Sequence, residues 1–125
     1  MLVAVSATGK DLDSYLDPRF GRCAYLLFID PESLQCEAVP NPGYGAGGGS
    51  GIRAAQEVVN RGARVLITGQ CGPNAFGVLA ASGVRMFQAP GEPVRKVLEL
   101  YGQGKLNEIK APGPGRPGPP GRGFW

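Results

Sequence analysis

The stretch "ARVLITGQCGPNAFGVLAASGVRMFQA", Ala63 to Ala89, reads as strand, helix and strand in turn. Its first third is a β-branched apolar run, "ARVLITGQ". "GPNAFGVLAASG" then sets Pro73 near a first helical turn and Gly83 where a helix would stop. "VRMFQA" returns to strand composition. A strand joined to the next strand through a helix is the repeating unit of an α/β sheet.

Working outward, "EPVRKVLELYGQG" follows with Val94, Val97, Leu98 and Tyr101 on one helical face. Upstream, "IRAAQEVVNRG" places Ile52, Ala55, Val58 and Val59 on one face and ends at Gly62. The N-terminal part differs. "LVAVSA" (Leu2 to Ala7), "CAYLLFID" (Cys23 to Asp30) and the alternating "QCEAVP" (Gln35 to Pro40) read as three strands with no helix between them. The predicted order is β-β-β-α-β-α-β-α: a five-stranded mixed sheet flanked by helices, class α/β, over residues 1–104. From residue 105 to 125 the chain becomes rich in Gly, Pro and Arg, and "APGPGRPGPPGRGFW" lacks the apolar content of a core element. It reads as a C-terminal tail.

Composition excludes several function classes. The net charge is +3, but residues 1–102 carry nine Lys/Arg and nine Asp/Glu, so the excess lies in the tail. A neutral body argues against a nucleic-acid reader, which needs a clustered basic face. No apolar run approaches the roughly 18 residues of a membrane span, and "MLVAVSATGKD" lacks a basic, cleavable leader. The expectation is a cytoplasmic protein with no membrane partner. The absence of histidine removes the commonest general base and every Ser-His or Cys-His pair. Three cysteines without C-x-x-C indicate neither a disulfide framework nor a zinc knuckle.

Two motifs carry the chemistry: "DPRFGRC" (Asp17 to Cys23) and "TGQCGPNAF" (Thr68 to Phe76), with the glycine-rich "NPGYGAGGGSG" between them. Thiolates suit iron–sulfur and copper–sulfur centres, while guanidinium and backbone N–H groups suit an anionic thiometallate held without covalent ligation. Cys71 and the glycine loop would lie at the carboxyl ends of parallel strands, where α/β sheets bind ligands, and nearby cations should lower a thiol pKa. The same residues have plainer roles open to them. Cys23 and Cys71 can be small core hydrophobes, Arg19 and Arg22 can pair with Asp13 and Asp17, and "GPNAF" can be only a strand-to-helix turn.

Taken together, the short first strand, "DPRFGR", the aromatic strand ending in Asp, the "NP" plus glycine loop and "VLITGQCGPNAFGVLAASGVRMF" resemble the dinitrogenase iron-molybdenum cofactor biosynthesis family over about residues 1 to 105. The resemblance implies a ribonuclease H-like fold. It also implies an accessory protein, not an enzyme, that binds and delivers a metal–sulfur cluster or thiometallate precursor of Fe-S, Mo-Fe-S or Mo-Cu-S type between donor and acceptor proteins. Many such relatives carry His before "FGR" and in "GHGAG"; this chain has Arg19 and Tyr44 there. On this reading Cys71 and Cys23 are the candidate metal ligands, and Cys71→Ser should abolish loading. Arg19 and Arg22 are counter-charges, and Gly45, Gly47, Gly51 and Asn74 line the crevice.

Three other readings carry less. "GYGAGG" matches G-x-G-x-x-G, but lacks the preceding strand and the acidic residue about 20 positions on that a nucleotide site needs. A nuclease would need carboxylates converging from strands, and the first strand has none. The tail's "PGRP", "PGPP" and terminal Phe124-Trp125 could dock a partner groove.

Overall fold

The computed structural model describes residues 1–45 and 49–113. The three N-terminal strands are β1 (Val3–Ala7), β2 (Tyr25–Ile29) and β3 (Cys36–Pro40). Then α1 (Ser50–Asn60), β4 (Val65–Thr68), α2 (Pro73–Ala81), β5 (Arg85–Gln88), α3 (Val94–Gly102) and β6 (Asn107–Glu108) follow. They form one sheet in the order β3-β2-β1-β4-β5-β6. β1, β4 and β5 are mutually parallel, whereas β2 runs antiparallel to β1 and β3, and β6 antiparallel to β5.

The mixed α/β sheet agrees with the reading of the sequence, but the strand number does not: there are six, not five. The extra strand, Asn107–Glu108, lies in the segment assigned to the tail. Two polar residues give no hydrophobic periodicity to read. What holds them is backbone pairing to the edge of β5, the Ile109 N–H donating to the Met86 carbonyl at 2.7 Å, and an Arg85–Glu108 ion pair at 2.9 Å.

Both faces of the sheet are covered. Ala4, Leu26, Phe28, Leu66 and Met86 pack on one face against Ala54, Ala55 and Val58 of α1 and Ala75 and Leu79 of α2. Val3, Val5, Leu27, Ile29, Val65 and Ile67 pack on the other against Val94, Val97 and Leu98 of α3 and against Leu12 and Leu16 of the β1–β2 connection. Burial on both faces is why β1 and β4 read as continuous apolar runs without alternation. Among the described residues no helix is long and apolar enough to cross a membrane.

The architecture gathers the amino ends of α1 and α2 on one side of the sheet, above the carboxyl end of β4, and the two helices pack against each other.

Candidate functional site

"DPRFGR" crosses the carboxyl ends of β1 and β4. Asp17 N–H donates to the Ser6 carbonyl at 2.9 Å, and Gln70 N–H donates to the Pro18 carbonyl at 2.8 Å, so that Arg19 bridges to Gln70. Beneath it the fully buried Ser6 hydroxyl donates to the Asp17 carbonyl at 2.6 Å. It also lies 2.7 Å from the Thr68 hydroxyl. Ser6 has one hydroxyl proton, so Thr68 must be the donor between the two. Polar residues inside two apolar strands therefore serve to seat the loop.

Two close approaches fix the rest. A Cβ on Gly21 would lie 2.9 Å from the Gly51 nitrogen and 3.0 Å from its Cα. A Cβ on Gly69 would collide with Pro18. Only glycine lets "FGR", a single 3-10 turn over Phe20–Arg22, rest directly on the first turn of α1. The glycine of "FGR" is thus a packing requirement.

These contacts enclose a cleft of about 700 Å³. Its walls are Arg19 to Arg22, Gln70, the first turn of α1 and the first turn of α2. Neither helix has a side-chain cap at its start. The first intrahelical bonds are Arg53 N–H to the Gly49 carbonyl at 3.0 Å and Phe76 N–H to the Gly72 carbonyl at 2.9 Å. The amides of Ser50, Gly51 and Ile52 in α1 and of Asn74 and Ala75 in α2 precede those bonds, and all five residues line the cleft. Among the described residues nothing caps these two helix starts, whose first-turn N–H groups and partial positive charge meet at one space, an environment that favours anions.

Arg19 and Arg22 add full charges of unequal freedom. Arg19 bonds Asp17 through Nε and Nη2, each at 3.2 Å, and the carboxylate raises its pKa. Asp13, the other acid expected to pin the loop, pairs instead with Arg95 at 3.3 Å. Among the described residues Arg22 makes no ion pair. Its charge remains available to a ligand.

The cysteines are placed differently. Neither Cys23 nor Cys71 lines the cleft. Cys23 is fully buried; its thiol donates to the Phe20 carbonyl at 3.2 Å and accepts the Asn41 amide at 3.3 Å. Burial pushes its pKa up to about 12. Cys71 is 1% exposed, and burial pushes its thiol up to about 11. The lowering by neighbouring cations expected from the sequence does not occur: loss of water around the sulfur is the largest influence on both thiols, and the charge acting on Cys23 is that of Asp17, which raises its pKa further. Among the described residues no three His, Cys, Asp or Glu side chains gather as a metal site. The residues facing the cleft suit an anion bound through charge and N–H groups.

Of the expected crevice residues, Arg19, Arg22, Gly51 and Asn74 come together. Gly45 is exposed and does not line the cleft, and Gly47 lies outside the described residues. Tyr44, at a position where the resemblance expects His, is 65% exposed and also off the cleft wall. Asn41 was not singled out by the sequence reading. It is buried, and its amide donates to the Cys23 carbonyl at 2.9 Å while its side-chain oxygen accepts the Gly43 N–H at 2.9 Å. The available signal was "NPG", because an Asn that bonds the backbone two residues on is a turn device.

The fold and the sequence both have known relatives. The apo form of the orange protein from Desulfovibrio gigas superposes with a TM-score of 0.82 at 38% identity, covering 89% of this chain and 94% of that one. A Thermotoga protein described as a candidate NifB of the DUF35 family, solved by NMR, superposes at 0.77 with 34% identity over 88% of this chain and 94% of its own. An uncharacterized protein of Methanocaldococcus jannaschii is 26% identical over 98 residues, 76% of this chain and 83% of that protein. The family described as "Dinitrogenase iron-molybdenum cofactor" matches residues 1–104, and the chain belongs to that family.

Proposed function

We propose that the protein is an accessory carrier that binds an anionic metal–sulfur cluster, or the thiometallate from which one is built, and passes it from a donor to an acceptor protein. The observation that supports this most directly is the convergence of Arg19, Arg22 and the uncapped starts of α1 and α2 on one cleft. Family membership and the likeness to the orange protein support the cluster-related role. A tetrahedral sulfido anion of Mo, alone or with Cu or Fe, offers several sulfur acceptors to these donors. Cation and N–H donors around a charged acceptor make the stronger class of hydrogen bond.

In this reading the cargo is held through its outer sulfurs. The ligand roles of Cys71 and Cys23 belong to an inner-sphere form of the same proposal. Cys71, between the lining residue pair Gln70 and Gly72, would have to leave its buried position and lose its proton to take part. A carrier role, a cytoplasmic location and a ribonuclease H-like fold complete the proposal. The last is supported by the order β3-β2-β1-β4-β5 with β2 antiparallel to its neighbours.

The test is anaerobic titration of the full chain with tetrathiomolybdate, alone and then with Cu(I), followed by visible absorption and by metal and sulfide analysis. Stoichiometric retention with perturbed charge-transfer bands is expected. Retention of no metal under any of these conditions would sink the carrier reading.

A further inference from the structure

The connection that leads into α2 is held from outside the cleft. Cys71, between the cleft-lining Gln70 and Gly72, accepts on its carbonyl a hydrogen bond from the Gly113 N–H at 2.7 Å. A Cβ on Gly113 would lie 3.2 Å from that oxygen and 3.8 Å from the Cys71 carbonyl carbon and nitrogen. Gly113 therefore rests on the Cys71 backbone more closely than most side chains would allow. On its other side the same connection is gripped by "DPRFGR", where the Gln70 N–H donates to the Pro18 carbonyl at 2.8 Å. The Gln88 side-chain amide adds a third hold at the Gly69 carbonyl, 3.2 Å away.

Gly113 reaches this position from the edge of the sheet. β6 pairs Asn107 with Gln88 and Glu108 with Phe87, and Ile109 packs against the core cluster that contains Cys71. Lys110, Ala111 and Pro112, between the two anchors, are exposed. A two-residue strand, one ion pair and one terminal hydrogen bond are few holds beside those of the central strands. Segments so held open locally at less cost than the whole fold.

We propose that residues 109–113 are a strap that closes over Cys71 and fixes the α2 wall of the cleft, with Gly113 as its positioning residue. Closed, it holds residues 70–72 so that the Asn74 and Ala75 N–H groups meet an anion already in place, which lowers the ordering cost of binding. Lifted, it uncovers Cys71 and lets that wall relax. The effect on cargo rests on the carrier reading of the cleft; the cover over Cys71 does not. Such coupling is reciprocal: if the closed strap favours the anion, the bound anion favours the closed strap by the same factor.

The experiment measures iodoacetamide labelling of Cys71 by mass spectrometry in the full chain, in Gly113→Pro and in Arg85→Leu, at one pH and in low urea concentrations below each unfolding midpoint. Gly113→Pro has no N–H to give Cys71, and Arg85→Leu loses the ion pair with Glu108, so the two release the strap from opposite ends. Each should speed Cys71 labelling about three- to tenfold, the shift of a local opening equilibrium on losing one bond. The faster labelling should depend little on urea, as a small opening does. Both variants should bind tetrathiomolybdate more weakly by a similar factor, and bound tetrathiomolybdate should slow hydrogen exchange at the Gly113 amide of the full chain. Unchanged Cys71 labelling in either variant overturns the strap as one unit, and so does labelling that follows global unfolding in urea. If the full chain binds tetrathiomolybdate and the variants bind it equally well, the strap does not position the wall, and this proposal fails while the carrier reading stands. If the full chain binds none, the carrier reading falls, and the labelling rates alone decide the strap.

Discussion

The Asn41 side-chain amide donates to the Cys23 carbonyl at 2.9 Å and lies 3.3 Å from the Cys23 sulfur, tying the turn before α1 to the end of "FGRC". The bonds are buried, so removing the amide strands the acceptors it served. Asn41→Ala is expected to cost about 1–3 kcal/mol, the scale of leaving buried polar groups without partners. Urea unfolding measures that loss, and Cys23 should become easier to alkylate in the same variant. A variant with unchanged midpoint and unchanged labelling would show that the bond is incidental.

Gly21 and Gly77 should respond to alanine with opposite signs. Gly21 has the Gly51 backbone at 2.9 Å from a new Cβ, and backbone cannot yield as a flexible side chain can. Gly21→Ala should destabilise by about 1–3 kcal/mol and weaken anion binding, because it pushes "FGR" off the first turn of α1. Gly77, inside α2, has nothing within 4 Å of its Cβ position. Gly77→Ala should stabilise by about 0.5–1 kcal/mol through helix propensity. Thermal or urea melts decide both.

The three thiols should react in a definite order. Cys36 is half-buried on β3, whereas Cys23 and Cys71 are buried, so iodoacetamide should modify Cys36 first in the folded protein. Thiolate is the reacting species. Burial raises the pKa of Cys71 to about 11, so its labelling should rise only as pH approaches that value or as the fold opens. Mass spectrometry of the labelled peptides reads this directly. If Cys71 is labelled as fast as Cys36 near neutral pH, its burial is not maintained in solution.

The geometry changes the expectation for Cys71→Ser. Ligation by Cys71 predicts that the variant loses all cargo. A cleft that holds an anion through Arg22 and helix N–H groups predicts retained loading, with Arg22→Ala the damaging change, about tenfold in affinity. Metal and sulfide analysis of the two variants side by side separates inner-sphere from outer-sphere binding. Loss in Cys71→Ser with retention in Arg22→Ala would reverse the assignment.

Acidification should loosen β6 before the rest of the sheet. The Arg85 guanidinium, bonded to Glu108 at 2.9 Å, holds that carboxyl below the usual range. A lowered native pKa means that the pair's contribution is present above the ordinary carboxylate value and fades as pH falls through the lowered one. Hydrogen exchange at the Ile109 amide, which bonds Met86, should therefore speed up at acid pH more than exchange in β1 or β4, once intrinsic rates are corrected. Arg85→Leu should show the faster exchange already at neutral pH. Equal protection of Ile109 in both proteins would remove the ion pair as the clasp.

Elements with strong internal signals are legible in the chain alone. Continuous apolar runs in β1, β2 and β4 follow from burial on both faces. The helical spacing of Val94, Val97 and Leu98 and the Pro73 start of α2 were likewise legible, because periodicity and backbone chemistry are local properties. Arg19, Arg22, Gly51 and Asn74 could be named as neighbours of a crevice because the carboxyl ends of parallel strands place them there. The remaining features depend on contacts between distant segments. β6 is invisible in sequence because an edge pairing of Asn107 and Glu108 depends on an already formed β5. The burial of Cys23 and Cys71, which raises the pKa of both thiols, is also invisible in the sequence, because desolvation is a sum over neighbours drawn from the whole chain. Gly21, Gly69 and Asn41 carry contacts to residues 18 to 51 positions away in sequence. Such contacts exist only once the sheet has brought the loops together, which is why the binding cleft belongs to the fold and not to any one motif.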